Sequence, residues 1–401
     1  MNFEFLQLFS PPLHLLVPSM DRQYIHSVST TLAHSRSIHQ SKLIILGPAF
    51  NQGLLASFTS DAAQIVPDGQ VSKLVVNLYS IFSSLRTNSL STDLILSAIT
   101  TVGSLLKAHD PESPSPISVP ALTGSLQALT TLARRMIRQQ GTLSHFQPLL
   151  DSLRLEYAHL RRDAKTDMNK KIAMVVVLIE MIKICVIDLA NPNIIESILA
   201  STQGILDDNS ASLPKSISAT YHFYLSKHHL FLDQFNESRC ELETALSQLC
   251  PNMPNTNRVL FYLIPLQLVS GIFPTKQFLK KFPPIHDLYY PIIRAIKSRN
   301  LKQLHDLINK QSVLKQNFFF LLKKIDLLVH RLILRDIVEI SGGKKQVSFA
   351  LYSEIVPGVS PSEIFAILIQ EGLINGYISY EENVLVLTGT NPFPVGPWAN
   401  S

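Results

Sequence analysis

Ser360-Pro361-Ser362-Glu363-Ile364-Phe365-Ala366-Ile367-Leu368-Ile369-Gln370-Glu371-Gly372 carries helix-start signals at one end and a stop at the other. Ser360 can cap, Pro361 sits at the first helical position, and Glu363 stands where a capping box needs a carboxylate. Upstream, Ser348–Val356 reads as a short helix and Pro357-Gly358 as a turn. Downstream, Ile374–Tyr380 and Val384–Leu387 read as strands joined by Glu381-Glu382-Asn383. A short helix, a turn, a capped helix and a hairpin in roughly 45 residues spell a winged helix.

Working back from that module, apolar residues recur at helical spacing almost throughout. The predicted helices are Val71–Leu85, Thr92–Leu106, Ala121–Gln139, Gln147–Ala158, Lys170–Leu189 and Ile194–Leu206. After them come Ser218–Leu232, Glu237–Leu249, Val259–Val269, Lys276–Phe282, Asp287–Ile296, Leu301–Asn309 and Phe318–Ile340. His109-Asp110-Pro111-Glu112-Ser113-Pro114-Ser115-Pro116 cannot continue a helix, since each Pro removes a donor and restricts its predecessor.

Ser218–Leu232 places Tyr221, Tyr224, Leu225 and His228 on one side; Glu237–Leu249 places Cys240, Ala245, Leu246 and Leu249 on another. With a short turn between them and a small Ala at the crossing, the pair has the shape of a tetratricopeptide-like hairpin. Each hairpin leaves an apolar face for its neighbour, so the expected fold is mainly α, a helical-repeat solenoid ending in a winged-helix domain. The expected divisions are 1–217 for N-terminal repeats, 218–345 for a second helical part and 346–397 for the winged helix.

The 401 residues are 46% hydrophobic and 16% charged, which excludes a disordered chain. Cys185, Cys240 and Cys250 are odd in number and form no CxxC pair, so a reducing compartment is expected. Glu4 stands where a signal peptide needs positive charge. The most apolar run, Ile172 to Ala190, contains Glu180, Lys183 and Asp188; this implies a buried helix rather than a membrane span.

Three blocks carry a family resemblance. They are Tyr262-Leu263-Ile264-Pro265 continuing to Gly271-Ile272-Phe273-Pro274-Thr275; Ala295-Ile296-Lys297-Ser298-Arg299-Asn300-Leu301; and Ile374-Asn375-Gly376-Tyr377-Ile378-Ser379 with Asn391-Pro392-Phe393-Pro394. Over roughly Arg258 to Pro397 the chain resembles the PCI-domain family, and within it the PCI subunits of transcription and export complex 2. A related signalosome-associated PCI group shares the same blocks. The resemblance implies a PCI fold and a non-catalytic scaffold of nuclear mRNA export, with no cofactor. Its implied partners are a large PCI-type scaffold subunit and a small acidic disordered subunit shared with the proteasome lid, together with RNA or DNA. The implied location is the nucleus, at or near the nuclear pore. The alternative implied role is a signalosome- or proteasome-lid-type assembly without nucleic acid. Arg299 departs from the family's usual Gly, and Asn300 is expected to take any left-handed position there.

From Pro251 to Ala350 sixteen Lys and Arg stand against five acids, a balance of +11. From Leu351 onward there is no Lys or Arg, and five Glu give −5. Phosphate contacts need cations, so Ser362–Glu371 is a poor groove-reading helix. The candidate surface for nucleic acid or an acidic partner is therefore Lys276, Lys280, Lys281, Arg294, Lys297, Arg299, Lys302, Lys323, Lys324, Lys344 and Lys345. A solvated face or a dock for an acidic protein segment explains the same charges. A second stretch, Arg154, Arg161, Arg162, Lys165, Lys170 and Lys171, reads as solvated.

No GxxxxGK[ST], GxGxxG or HExxH is present. Adjacent histidines on a helix diverge by about 100°, so His228-His229 reads as packing rather than a metal pair. Phe318-Phe319-Phe320 reads as core ahead of a long helix rather than a base-stacking platform.

Overall fold

The computed structural model describes residues 77, 81, 91–108, 119–141, 143–207, 213–250, 254–310 and 312–394. The Pro-rich segment at 109–116 and nearly all of the helix expected at 71–85 lie outside them. The chain divides into two compact units between Tyr224 and Leu225.

The first unit is built on α1 (Thr92–Ala108), α2 (Val119–Gln140), α3 (Phe146–Asp163), α4 (Met168–Ile182) and α5 (Asn193–Asp207). α1 packs on α2 and α3 on α4, and these pairs meet through α1 on α3 and α2 on α4. Asp167 caps α4 by accepting from the Asn169 amide at 2.8 Å. The expected continuous helix to Leu189 is instead α4 followed by a π-helical turn, Lys183–Asp188.

The charges inside this apolar run are matched from α2. Arg134 and Arg138 both reach the buried Asp188, while Lys183 and Gln127 meet Glu180 Oε1 at 2.6 and 3.0 Å. A buried acid is tolerated when paired and hydrogen-bonded, which is the arrangement here. Among the described residues no helix is long and apolar enough to cross a membrane. The expected solvated stretch is corrected in part. Lys170 and Lys171 are buried, Lys170 reaches Asp163 at 2.6 Å, and Arg161 donates to the Ser201 carbonyl at 3.1 Å.

α6 (Lys215–Phe231) spans the division, and α7 (Phe235–Ser247) follows it after a turn with Asp233 at φ +58°. The Ser238 hydroxyl donates to the Ser226 carbonyl at 2.9 Å, so small residues bring the pair together. Ala245 is fully buried as expected, but Cys240 is exposed rather than on the inner face. His228 is buried, and burial pulls its imidazole down to about 4.

The second unit continues through α8 (Pro254–Val269), α9 (Lys276–Lys280), α10 (Pro283–Lys297), α11 (Leu301–Lys310) and α12 (Ser312–Ile340). Its core includes Phe261, Tyr289 and Phe318; the Tyr289 hydroxyl donates to the Phe261 carbonyl at 2.6 Å. Phe318 is packing, as expected, and also the kink: its φ of −134° breaks α12, which starts earlier than the sequence suggests. The unit closes with β1 (Gln346–Ser348), α13 (Phe349–Ile355), α14 (Pro361–Gln370), β2 (Gly376–Ser379) and β3 (Val384–Leu387), an antiparallel sheet in the order β1-β3-β2. This is the winged helix, with β1 as a third strand that three residues could not announce. Pro361 starts α14 as expected, but the capping box is not made: Ser360 makes no cap bond and its hydroxyl meets that of Ser362 at 3.1 Å.

Candidate functional site: a basic interface beside an acidic winged helix

The three motif blocks turn out to be corners and ties. At the end of α8, Gly271 is left-handed at φ +76°; its amide bonds to Leu268 O and that of Ile272 to Gln267 O at 2.8 Å. Both bonds define a Schellman stop, and Thr275 then caps α9. The end of α10 repeats it: Arg299 N reaches Ile296 O and Asn300 N reaches Ala295 O at 3.0 Å. Here the left-handed residue is Arg299 itself, at φ +55°, not Asn300 as expected. Asn300 instead caps α11, its side chain accepting from the Gln303 amide at 2.9 Å. Arg299 bears a conformation that costs an L residue about 1–2 kcal/mol, and its side chain is held 2.8 Å from Asp336 on α12.

The third block ties the winged helix to α12. Arg331 donates to Leu373 O at 3.0 Å, Phe393 O at 3.1 Å and Pro394 O at 2.7 Å, with the Phe393 ring 5.9 Å from its guanidinium carbon. Asn375 grips the same strap by donating from its amide to Pro392 O and from its side chain to Asn391 O. Gly376 allows β2 to pass β3, because a Cβ there would lie 2.5 Å from Val386 O. Next to Arg331 in the chain, buried His330 shares a hydrogen bond with the Tyr352 hydroxyl through Nδ1. Burial holds that imidazole below its ordinary value, Asp326 raising it and His305 lowering it, and burial likewise pushes the Tyr352 phenol up. No sequence pattern announced the roles of Arg331, His330 and Tyr352.

The eleven candidate cations fall into two groups. Arg299 is spent on Asp336, Lys324 on Glu371 at 3.2 Å and Lys345 on Gly389 O at 2.8 Å. These hold the unit together. Lys276, Lys280 and Lys281 lie exposed on and just after α9, Arg294 and Lys297 on α10, and Lys302 on α11. Lys276 Nζ stands 5.1 Å from the Tyr290 ring, and Lys297 Nζ stands 5.3 Å from the Phe273 ring, so α9, its preceding loop and α10 present one surface. Tyr290 also stacks on His286, centroids 4.9 Å apart. Lys280, Lys281, Arg294 and Lys302 make no ion pair among the described residues. Lys323 and Lys344 are exposed but apart from these ring contacts. The aromatic partners Phe273 and Tyr290 were absent from the sequence-derived set; they lie far along the chain from Lys297 and Lys276, and only the packing of α9 on α10 brings each pair together.

In the second unit, helices run into a winged helix, the layout that the resemblance to PCI domains leads one to expect. The amino-acid sequence agrees with the fold. The chain is 31% identical over 201 residues to the PCI domain-containing protein 2 homolog of Dictyostelium discoideum, covering 46% of this chain and 45% of that protein. It is 31% identical over 193 residues to the protein CSN12 homolog of Schizosaccharomyces pombe, covering 45% of each. A third relative, the PCI domain-containing protein 2 homolog of Drosophila melanogaster, is 27% identical over 197 residues, with 46% and 49% covered. The chain spans about half the length of the curated relatives it matches. No family model matches it. Over about half its length the chain is thus similar to proteins named PCI domain-containing protein 2 and to one named CSN12, in keeping with its mainly helical fold and terminal winged helix.

Proposed function

We propose that this protein is a non-catalytic scaffold subunit of a nuclear mRNA-export complex whose α9–α11 surface binds a polyanion, either RNA or the acidic disordered subunit. We read residues 218–345 as the helical part of the module and the residues from 346 onward, described to residue 394, as its winged helix. The observation that carries the reading is the exposed set Lys276, Lys280, Lys281, Arg294, Lys297 and Lys302 on α9–α11, none with an acid partner among the described residues, with Lys276 and Lys297 each beside a half-buried ring. Surface cations are normally interspersed with acids; here Asp287 lies beside them but engages His286 at 3.1 Å. The winged helix, lacking cations, takes no part in that contact.

The test is binding of a single-stranded RNA of about 20 nucleotides to the full chain, by fluorescence anisotropy. Affinity should fall on the order of tenfold or more between about 50 and 200 mM salt, since each neutralised phosphate releases counterions. Lys276→Glu/Lys280→Glu/Lys281→Glu should abolish it. RNA binding unchanged by that triple variant would remove this surface from the account. The signalosome-type reading is favoured by the relative named a CSN12 homolog. Proteins co-purifying with the chain from nuclear extract, identified by mass spectrometry, separate the two assemblies.

A further inference from the structure

The winged helix has the opposite chemistry to α9–α11. Among the described residues, five of the eleven large hydrophobic side chains left exposed lie between 349 and 380: Leu351, Ile355, Ile367, Tyr377 and Tyr380. Single exposed apolar residues are ordinary; such a concentration marks an interaction surface. Leu351 and Ile355 are four residues apart on α13, so they stand one turn above each other, with Glu354 beside them. On α14 the exposed residues Glu363, Ala366, Ile367 and Gln370 follow the i, i+3, i+4, i+7 pattern of one helix face. The opposite faces are already used, with the Tyr352 and Phe365 rings buried against each other at 4.8 Å. Leu351 and Ile367 are 40% and 39% exposed and Ile355 49%, so three apolar side chains face outward from the two helices.

The charges choose the occupant. Of the five carboxylates after Leu351, Glu371 is held by Lys324, whereas Glu354, Glu363, Glu381 and Glu382 have no ion pair among the described residues. Phosphate would be repelled. A second copy of the same face would set Glu354 and Glu363 against like charges across a two-fold axis. The remaining complement is apolar and cationic at once. We propose that the outward faces of α13 and α14 dock an amphipathic helical segment of a partner protein. Its apolar stripe would cover Leu351, Ile355 and Ile367, and its Lys or Arg flank would meet Glu354 and Glu363. Apolar burial supplies affinity, and the carboxylates supply selection and a faster encounter. The inference rests on the scaffold reading above and gives one of its partners a chemical description.

The experiment uses the full chain and two synthetic helices of about 18 residues, long enough for five turns. One carries a Leu stripe flanked by Lys, the other the same stripe flanked by Glu. Anisotropy should show binding of the Lys helix only, weakened about tenfold or more by Leu351→Ser/Ile355→Ser. Glu354→Lys/Glu363→Lys should reverse the preference toward the Glu helix, and these exposed positions leave the fold intact. Equal binding of the Lys helix to wild type and both variants, or to neither wild type nor variant, overturns the proposal. Self-association abolished by Leu351→Ser/Ile355→Ser overturns it too, by making the face a contact between copies. The α9 triple variant should bind the Lys helix normally, so failure here leaves the polyanion surface standing, and the converse also holds.

Discussion

Glu156 on α3 is buried, its Oε2 has no hydrogen-bond partner, and its carboxyl occupies the space a side chain at Gly103 on α1 would fill: a Cβ there would lie 1.9 Å from Oε1. Burial pushes this carboxyl up from 4.5 to about 7, with Lys107 pulling weakly the other way. Between those values the native state keeps a proton that the unfolded chain has released, so stability falls as pH rises through that window. The gap corresponds to about 3 kcal/mol, fully present below pH 4.5 and lost above 7. Glu156→Gln removes the ionisation while nearly keeping the shape. It should leave stability within about 1 kcal/mol of wild type at pH 5. At pH 8 it should raise stability by up to about 3 kcal/mol. Hydrogen exchange of α1 and α3 peptides across that pH range is the assay, since it reads this unit separately. An unchanged pH slope in the Gln variant would refute the buried-acid reasoning, as would a variant less stable than wild type at pH 8.

Arg331→Ala should free the strap and cost about 2–4 kcal/mol, since charged hydrogen bonds contribute about 1.5–3 each; protease cleavage near residues 388–394 should accelerate, and Arg331→Lys, a point donor, should rescue only part. Arg299→Gly should relieve about 1 kcal/mol of left-handed strain and forfeit about 0.5 for the half-exposed Asp336 pair, leaving a urea midpoint equal to or slightly above wild type; a loss beyond about 1 kcal/mol would show that the ion pair dominates the corner.

Most of the helices were legible because one apolar stripe per element fixes both period and burial, as in α10, which buries Ile285, Tyr289, Ile292 and Ile296. The winged helix was legible because Pro361 and Gly372 bracket α14 and Asn383 turns the hairpin. What failed was local hydrogen bonding. The Ser360–Glu363 spacing permits a capping box, but the Ser360 hydroxyl pairs with Ser362 instead. β1 is three residues long, and only its partner β3 makes it a strand. The buried Lys170 and Lys171 show the limit of reading charge as exposure: a helix face can turn cations inward when an acid such as Asp163 waits at the rim.

The candidate surface was half legible. Charge asymmetry located it, yet Arg299, Lys324 and Lys345 look identical in the sequence to Lys280 or Arg294 and serve to fasten elements together. The three motif blocks that carry the PCI resemblance contain the stops, caps and ties of the second unit. They therefore report the fold far better than they report what the fold holds.

Arg331 seizes three carbonyl oxygens, and every residue offers a carbonyl oxygen. The clasp itself thus reads spacing rather than letters. The three carbonyls it holds constrain no side chain at Leu373 or Pro394, so long as the chain between them neither gains nor loses a residue, while Asn375, Gly376 and the buried Leu385 and Leu387 are held by contacts of their own. Drift in composition at the clasped positions is cheap, whereas a single insertion before the strap would carry the latch out of register and open the terminus.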